Sequence, residues 1–293
     1  MGADESKPEP QLLSEPWRTI NWGDKEKDLQ YVKNYKPQTE GQQLRILLHG
    51  PAGAGKSSFI NSVQSILRGR LYVQALVDRI SSSSFTRKFR TYKIPKEGQQ
   101  SFYPFVFNDI MGLEISRGVH VDDIKLTLRG HVKDGYKFDP ESKLSEKDGF
   151  YNRSPSSNDK VHVLVCVIDA STLFPMKDET VKKIRDVRME ASDLEIPQVA
   201  IFTKVDEVCP EIKADLKNVY KVQSLKSKME QFSAYVGIPM NCIFPVRNYH
   251  EEINLKSDVD SLILSALKHI IRFGDDYHNL KKSSDMPMNF STE

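Results

Sequence analysis

Cysteine is scarce in this chain: Cys166, Cys209 and Cys242 are the only three in 293 residues. Their spacing fits no metal-ligand pattern, and Cys166 and Cys242 fall inside apolar runs. All three therefore read as reduced thiols in a reducing compartment. Long apolar runs are also missing, and none approaches the roughly 20 residues that a membrane-spanning helix needs. The opening "MGADESKPEPQLLSEP" has no apolar segment of the signal-peptide kind. Gly2 followed by Ser6 fits a myristoylation pattern but, beside Pro8 and two acidic residues, is read as incidental. The expectation is a cytoplasmic protein with no transmembrane segment. An excess of either charge is lacking too: 42 Lys+Arg against 40 Asp+Glu leave +2. A uniformly basic surface is thereby excluded, and no nucleic-acid partner is predicted.

What is present suits a globular protein with a real core, at 39% hydrophobic and 28% charged residues. Residues 1–40 read as a polar leader. Its segment 16–23 holds both tryptophans, Trp17 and Trp22, which are expected to pack on the main domain because exposed tryptophan is uncommon. That domain covers residues 41–275, with a flexible polar loop at 134–160, and 276–293 form a flexible tail. Within the domain, "LRILLH" (44–49), "VHVLVCVID" (161–169), "PQVAIFTK" (197–204) and "NCIFPV" (241–246) read as strands buried on both faces. Residues 85–94 and 101–109 alternate around "PKEGQQ" as an antiparallel hairpin. Helical patterns cover about 55–67, 178–192, 221–236 and 258–273. This order predicts a three-layer α/β/α fold, its sheet mostly parallel with one antiparallel edge strand. In such sheets ligands bind at the carboxyl ends of the strands.

Three stretches at predicted strand ends carry chemistry. Residues 50–57, Gly-Pro-Ala-Gly-Ala-Gly-Lys-Ser, match G-x-x-x-x-G-K-[ST] between a strand and a helix. Glycines let successive backbone N–H groups converge on phosphate oxygens at a helix N-terminus. Lys56 brings a positive charge to the β- and γ-phosphates, and the Ser57 hydroxyl suits Mg²⁺. The second stretch, "FVFNDIMGL" (105–113), carries Asp109-x-x-Gly112. There an aspartate can hold Mg²⁺ through water and a glycine N–H can meet the γ-phosphate. The third, "AIFTKVDEV" (200–208), carries Thr203-Lys204-x-Asp206. The Asp206 carboxylate can accept from N1–H and the exocyclic amine of guanine. Adenine offers no such pair and would leave the carboxylate unpaired at a cost of about 1–3 kcal/mol. The Lys204 stem can cover the face of the base.

In this order the motifs resemble the P-loop GTPases of the translation-factor-like class. More closely, "PWRTINW", "HGPAGAGKSSFINSV", "SSSSFTRKFRTYKI", "NDIMGL", "TKVDEVC" and "FPVRNYH" resemble the interferon-induced protein 44 family over about residues 15–275. The resemblance implies a cytoplasmic protein of antiviral innate immunity, with GTP/GDP and Mg²⁺ as ligands. It also implies a short form without the TLDc-like N-terminal domain of longer members. By position it assigns the phosphate loop to Gly50, Pro51, Ala52, Gly53, Ala54, Gly55, Lys56, Ser57 and Ser58. Ser57, Asp109 and a switch threonine become the metal side, and Gly112 the γ-phosphate contact. Thr203, Lys204 and Asp206 become base readers, joined by Arg247 and Asn248 from "PVRNY" (245–249). Thr86 is the choice for the switch threonine, with Ser84 and Thr91 as rivals.

Leu113 occupies the place where many GTPases carry a water-orienting glutamine, and it offers no polar atom. Ala52 adds a methyl group inside the loop. Hydrolysis is therefore expected to be slow or to depend on help from a protein partner or a second copy. The favoured reading is a GTP-dependent switch or scaffold whose partner is unknown. Its rival is a hydrolase activated by dimerisation, of the septin or dynamin-like type. A small-molecule kinase would leave "TKVD" without a task.

Overall fold

The computed structural model describes residues 12–74, 88–113, 118–172 and 178–285. In chain order these form α1 (Lys25–Asn34), β1 (Leu44–His49), α2 (Lys56–Arg68), β2 (Arg90–Pro95) and β3 (Phe102–Asp109). There follow α3 (Val121–Leu128), β4 (Val163–Asp169), α4 (Asp178–Asp193), β5 (Gln198–Thr203), α5 (Pro210–Ala214), α6 (Gln223–Val236), β6 (Ile243–Pro245) and α7 (Ser257–Asp285).

Six strands lie in one sheet in the order β2-β3-β1-β4-β5-β6. Only β2 runs antiparallel, against β3. The others are parallel, as their apolar runs predict: β1 and β4 bury nearly every side chain, which only a sheet covered on both faces allows. The chain leaves β1 toward β2 and β3 but leaves β4 toward β5, so the sheet reverses between β1 and β4. That crevice is where open α/β sheets bind ligands, and the phosphate-loop motif begins there.

From Leu12 onward the leader is part of the fold. The N–H groups of Leu13 and Trp17 donate to the carbonyls of Lys221 and Tyr220 at 2.8 and 3.0 Å. Trp17 stands edge-on to Tyr220 with ring centroids 5.6 Å apart. Arg18 donates to the carbonyls of Ile243 and Met240 at 2.6 and 2.5 Å, beside the β6 edge. The helix α1 was not legible in the sequence because Val32 is its one buried residue. Polar contacts fasten it to α7 instead: Lys25 with Asp260 at 2.7 Å, Lys268 with Asp28, and Tyr35 Oη donating to Asp275 at 3.1 Å.

Two expectations need correction. The segment 134–160, expected to be a flexible loop, is anchored along its length. Phe89 N donates to Tyr136 O at 2.7 Å and Thr91 N to Asp134 Oδ1 at 2.5 Å, so the segment covers part of the free edge of β2. Buried Asp123 then accepts from Tyr136 Oη at 3.2 Å and Leu144 N at 2.9 Å. Tyr136, Phe138 and Leu144 are buried, but they sit singly among polar residues and form no period. The tail expected from 276 is, as far as Asp285, a continuation of α7. Gly274 suggests a helix end, yet here its missing side chain lets the helix approach the sheet. A Cβ at Gly274 would fall 2.4 Å from Leu44 Cδ1 and 2.7 Å from Val163 Cγ2.

Candidate functional site

The loop between β1 and α2 is shaped by glycines in left-handed or otherwise positive-φ conformations. Gly50 has φ +139°, and a Cβ there would lie 2.1 Å from the Val167 carbonyl of β4. Gly55 has φ +91°, and its Cβ would press on Asn248 Nδ2 at 2.9 Å. At Gly50 the β4 backbone passes against the bare Cα, and at Gly55 the positive φ together with the Asn248 and Thr203 side chains disfavours a Cβ. The loop curls so far that Lys56 Nζ donates back to the carbonyls of Gly50 and Pro51 at 3.0 and 2.9 Å. Lys56 is 7% exposed, so its charge is held in the mouth of the loop. Behind it, buried His49 is pulled down to about 3, by burial first and then by the Lys56 charge. The imidazole thus stays neutral and does not compete with Lys56.

The Asp-x-x-Gly stretch meets this loop directly. Ser57 Oγ donates to Asp109 Oδ2 at 2.5 Å, and Asp109 is completely buried. Leu113 N donates to the Gly50 carbonyl at 3.2 Å, while the Leu113 side chain is fully buried. Thus Leu113 not only lacks a polar atom but also points into the core.

The third motif arrives from β5. Thr203 Oγ1 donates to the Ala54 carbonyl at 2.6 Å. Lys204, at φ +53°, directs its ammonium to Asp169 Oδ2 at 2.6 Å. Burial pushes the Asp169 carboxyl up, but hydrogen bonds from Lys204 and the Ser171 hydroxyl hold it below the usual carboxylate range. Arg247 Nε lies 3.1 Å from Asp206 Oδ2. From the same final loop, Asn248 Nδ2 donates to the Gly55 carbonyl at 3.2 Å. Asn248 therefore touches the start of α2, and its Oδ1 is buried without a hydrogen-bond partner.

The sequence-predicted residues thus fall into one cluster, with Gly50–Ser58, Asp109, Gly112, Thr203, Lys204, Asp206, Arg247 and Asn248 on loops that touch one another. Thr86 and its rival Ser84 lie outside the described residues. Thr91, the other rival, is committed within the sheet, where its hydroxyl accepts from Asn108 Nδ2 at 2.8 Å. Asp169, Ser171, Glu252 and His49 were missed. No local pattern marks Asp169 or Glu252, because each gains its role only from a partner in another motif. His49 directly precedes Gly50, and that position was the one signal that could have found it.

The residues fit a nucleotide with Mg²⁺. The loop presents Cβ-free backbone at Gly50, Gly53 and Gly55, Asn248 Oδ1 is an unsatisfied buried acceptor, and Ser57 beside Asp109 is a hard-oxygen pair. Among the described residues no group of three or more His, Cys, Asp or Glu could hold a metal by protein side chains alone. A hydroxyl, one carboxylate and substrate phosphates are how Mg²⁺ is usually held.

No helix among the described residues is long and apolar enough to cross a membrane. No family model matches the chain. Among solved structures, Toc33 from Arabidopsis thaliana in complex with GDP and Mg²⁺ has a TM-score of 0.50 at 13% identity, over 87% of this chain and 97% of that one. A dimerization-deficient mutant of Toc33 gives 0.51 at 14%, over 87% and 93%. At such identities the likeness establishes the P-loop α/β fold alone. Sequence relatives are nearer. Interferon-induced protein 44 of Mus musculus is 35% identical over 262 residues, 89% of this chain and 61% of that protein. The Homo sapiens protein of that name is 36% identical over 85% and 56%. Interferon-induced protein 44-like of Homo sapiens is 32% identical over 84% and 55%. The chain belongs to the interferon-induced protein 44 family, spanning 55–61% of the length of these curated relatives.

Proposed function

We propose that the chain is a cytoplasmic, interferon-induced guanine-nucleotide-binding protein acting as a switch or scaffold in antiviral innate immunity. The observation that carries the nucleotide reading is the 2.6 Å hydrogen bond from Thr203 Oγ1 to the Ala54 carbonyl. It holds the base-reading loop against the phosphate loop, so one ligand can reach both. Lys56 and the loop N–H groups bind the phosphates. Asp206 accepts from the purine edge, and the Lys204 stem, its tip held by Asp169, covers the ring. Ser57 and Asp109 would hold Mg²⁺, which would offset the negative charge of the phosphates. The Toc33 complex with GDP and Mg²⁺ supports this ligand pair by analogy of fold.

Titration of the purified protein with labelled GTP, GDP and ATP tests the reading. GTP and GDP are expected to bind about ten-fold or more tightly than ATP, the equivalent of a lost hydrogen bond to a charged group. Asp206→Asn is expected to weaken GTP binding and to admit xanthosine triphosphate. Equal affinity for GTP and ATP would remove guanine from the account.

The buried Leu113 side chain favours a second reading, in which efficient hydrolysis needs a group supplied in trans. A dimerisation-activated hydrolase then shows turnover per molecule that rises with protein concentration. A slow switch holds below about 1 s⁻¹ at every concentration, and its partner is another protein.

A further inference from the structure

Asp206 is gripped from behind. Arg247 Nε lies 3.1 Å from Asp206 Oδ2, and the same guanidinium donates from Nη2 to Glu252 Oε1 at 2.8 Å. The side chains are largely withdrawn from water, at 17% exposure for Arg247, 16% for Asp206 and 3% for Glu252. Glu252 is seated in turn, its Oε2 accepting from the N–H groups of His250 and Glu251 at 3.1 and 3.3 Å. A backbone-anchored carboxylate, a planar guanidinium and the Asp206 carboxylate therefore form one brace, joined by a hydrogen bond at Glu252 and by a charge contact at Asp206.

The number of lone pairs decides whether Arg247 competes with a base or supports its reading. An ionised carboxylate accepts at about four lone-pair sites, two on each oxygen. Guanine requires one from each oxygen, for N1–H and the 2-amine. The Arg247 contact is an ion pair whose Nε–H is not aligned as a hydrogen bond, so it occupies no lone-pair site and leaves both oxygens free to accept. A guanidinium seated in the place of the base would meet the carboxylate fork to fork through two parallel N–H bonds. Here the contact to Asp206 runs through Nε, and Nη2 is committed to Glu252.

We propose that Arg247, braced by Glu252, is a positioning residue: it fixes the orientation of the Asp206 carboxylate and so sets how strictly both donors of guanine are demanded. This rests on the guanine reading above. An unbraced carboxylate can rotate to accept one bond from inosine triphosphate, which has N1–H but no 2-amine. A braced one penalises the missing donor.

The experiment measures dissociation constants for GTP and inosine triphosphate in the full chain and in Arg247→Ala, Arg247→Lys and Glu252→Gln. The parent protein is expected to prefer GTP. Arg247→Ala is expected to reduce that preference about ten-fold, and Glu252→Gln to reduce it less. Arg247→Lys should recover part of it, since an ammonium can reach Asp206 but lacks the fork that also engages Glu252. Unchanged preference in folded Arg247→Ala overturns the proposal. A gain in GTP affinity does so too, because it would mean that Arg247 competes with the base. If Arg247→Ala does not fold, Glu252→Gln carries the test by the same criteria. A parent protein with no preference for GTP over ATP refutes the guanine reading, whereas a parent preference that survives every variant refutes the brace alone.

Discussion

With Gly50 replaced by alanine, the protein is expected to lose about 3–5 kcal/mol of folding stability, a large fraction of what a domain possesses. Two costs add. A φ of +139° is strained for any residue with a Cβ, at about 1–3 kcal/mol. The new methyl would also lie 2.1 Å from the Val167 carbonyl, a backbone atom of a central strand that cannot step aside as a side-chain tip can. Relief requires moving the Gly50 backbone, whose carbonyl accepts from both Lys56 Nζ and Leu113 N. Nucleotide binding should therefore fall with stability. Gly53→Ala is the control: its φ is +71° with no atom within 4 Å of the added methyl, so it should cost only the left-handed penalty of about 1–2 kcal/mol. Urea unfolding of both variants checks the difference, and equal midpoints would show that the β4 contact does not constrain the loop.

Lys56→Met is expected to weaken GTP binding by about 2–4 kcal/mol while leaving the protein folded. Methionine keeps most of the buried stem, and volume-conserving exchanges usually cost less than about 1.5 kcal/mol. What disappears is the ammonium. Its loss removes charge-assisted hydrogen bonds to the phosphates, each worth about 1.5–3 kcal/mol. Calorimetric or fluorescence titration of a variant whose melting is otherwise near the parent's measures the loss. Retained affinity would show that the backbone N–H groups of the loop suffice by themselves.

How much could be read in advance depends on where the information resides. β1, β4 and β5 announce themselves because strands buried on both faces must be apolar at every position, and the motif ending β1 supplies its own chemistry. The hairpin was legible by alternation, with β2 at Arg90–Pro95; the expected positions 85–87 lie outside the described residues. α1 was hidden because ion pairs to α7 hold it, and the sequence of α1 alone does not name them. The segment 134–160 was misread because its anchors, Tyr136 and Leu144, matter only once Asp123 is known to be buried beneath them. The base-reading loop shows the same division. Thr203, Lys204 and Asp206 carry a local signature, while Asp169 and Glu252, which hold Lys204 and Arg247, acquire their roles from tertiary placement.

The docking of residues 12–18 bears on how the molecule could be handled mechanically. Arg18 is hooked to the carbonyls of Met240 and Ile243, only a few residues upstream of the loop bearing Arg247 and Asn248. Tension applied ahead of Leu12 would thus be delivered to the rim that reads the purine rather than dissipated in a slack tether. Cutting the polypeptide at the first strand would remove these contacts from beneath that rim.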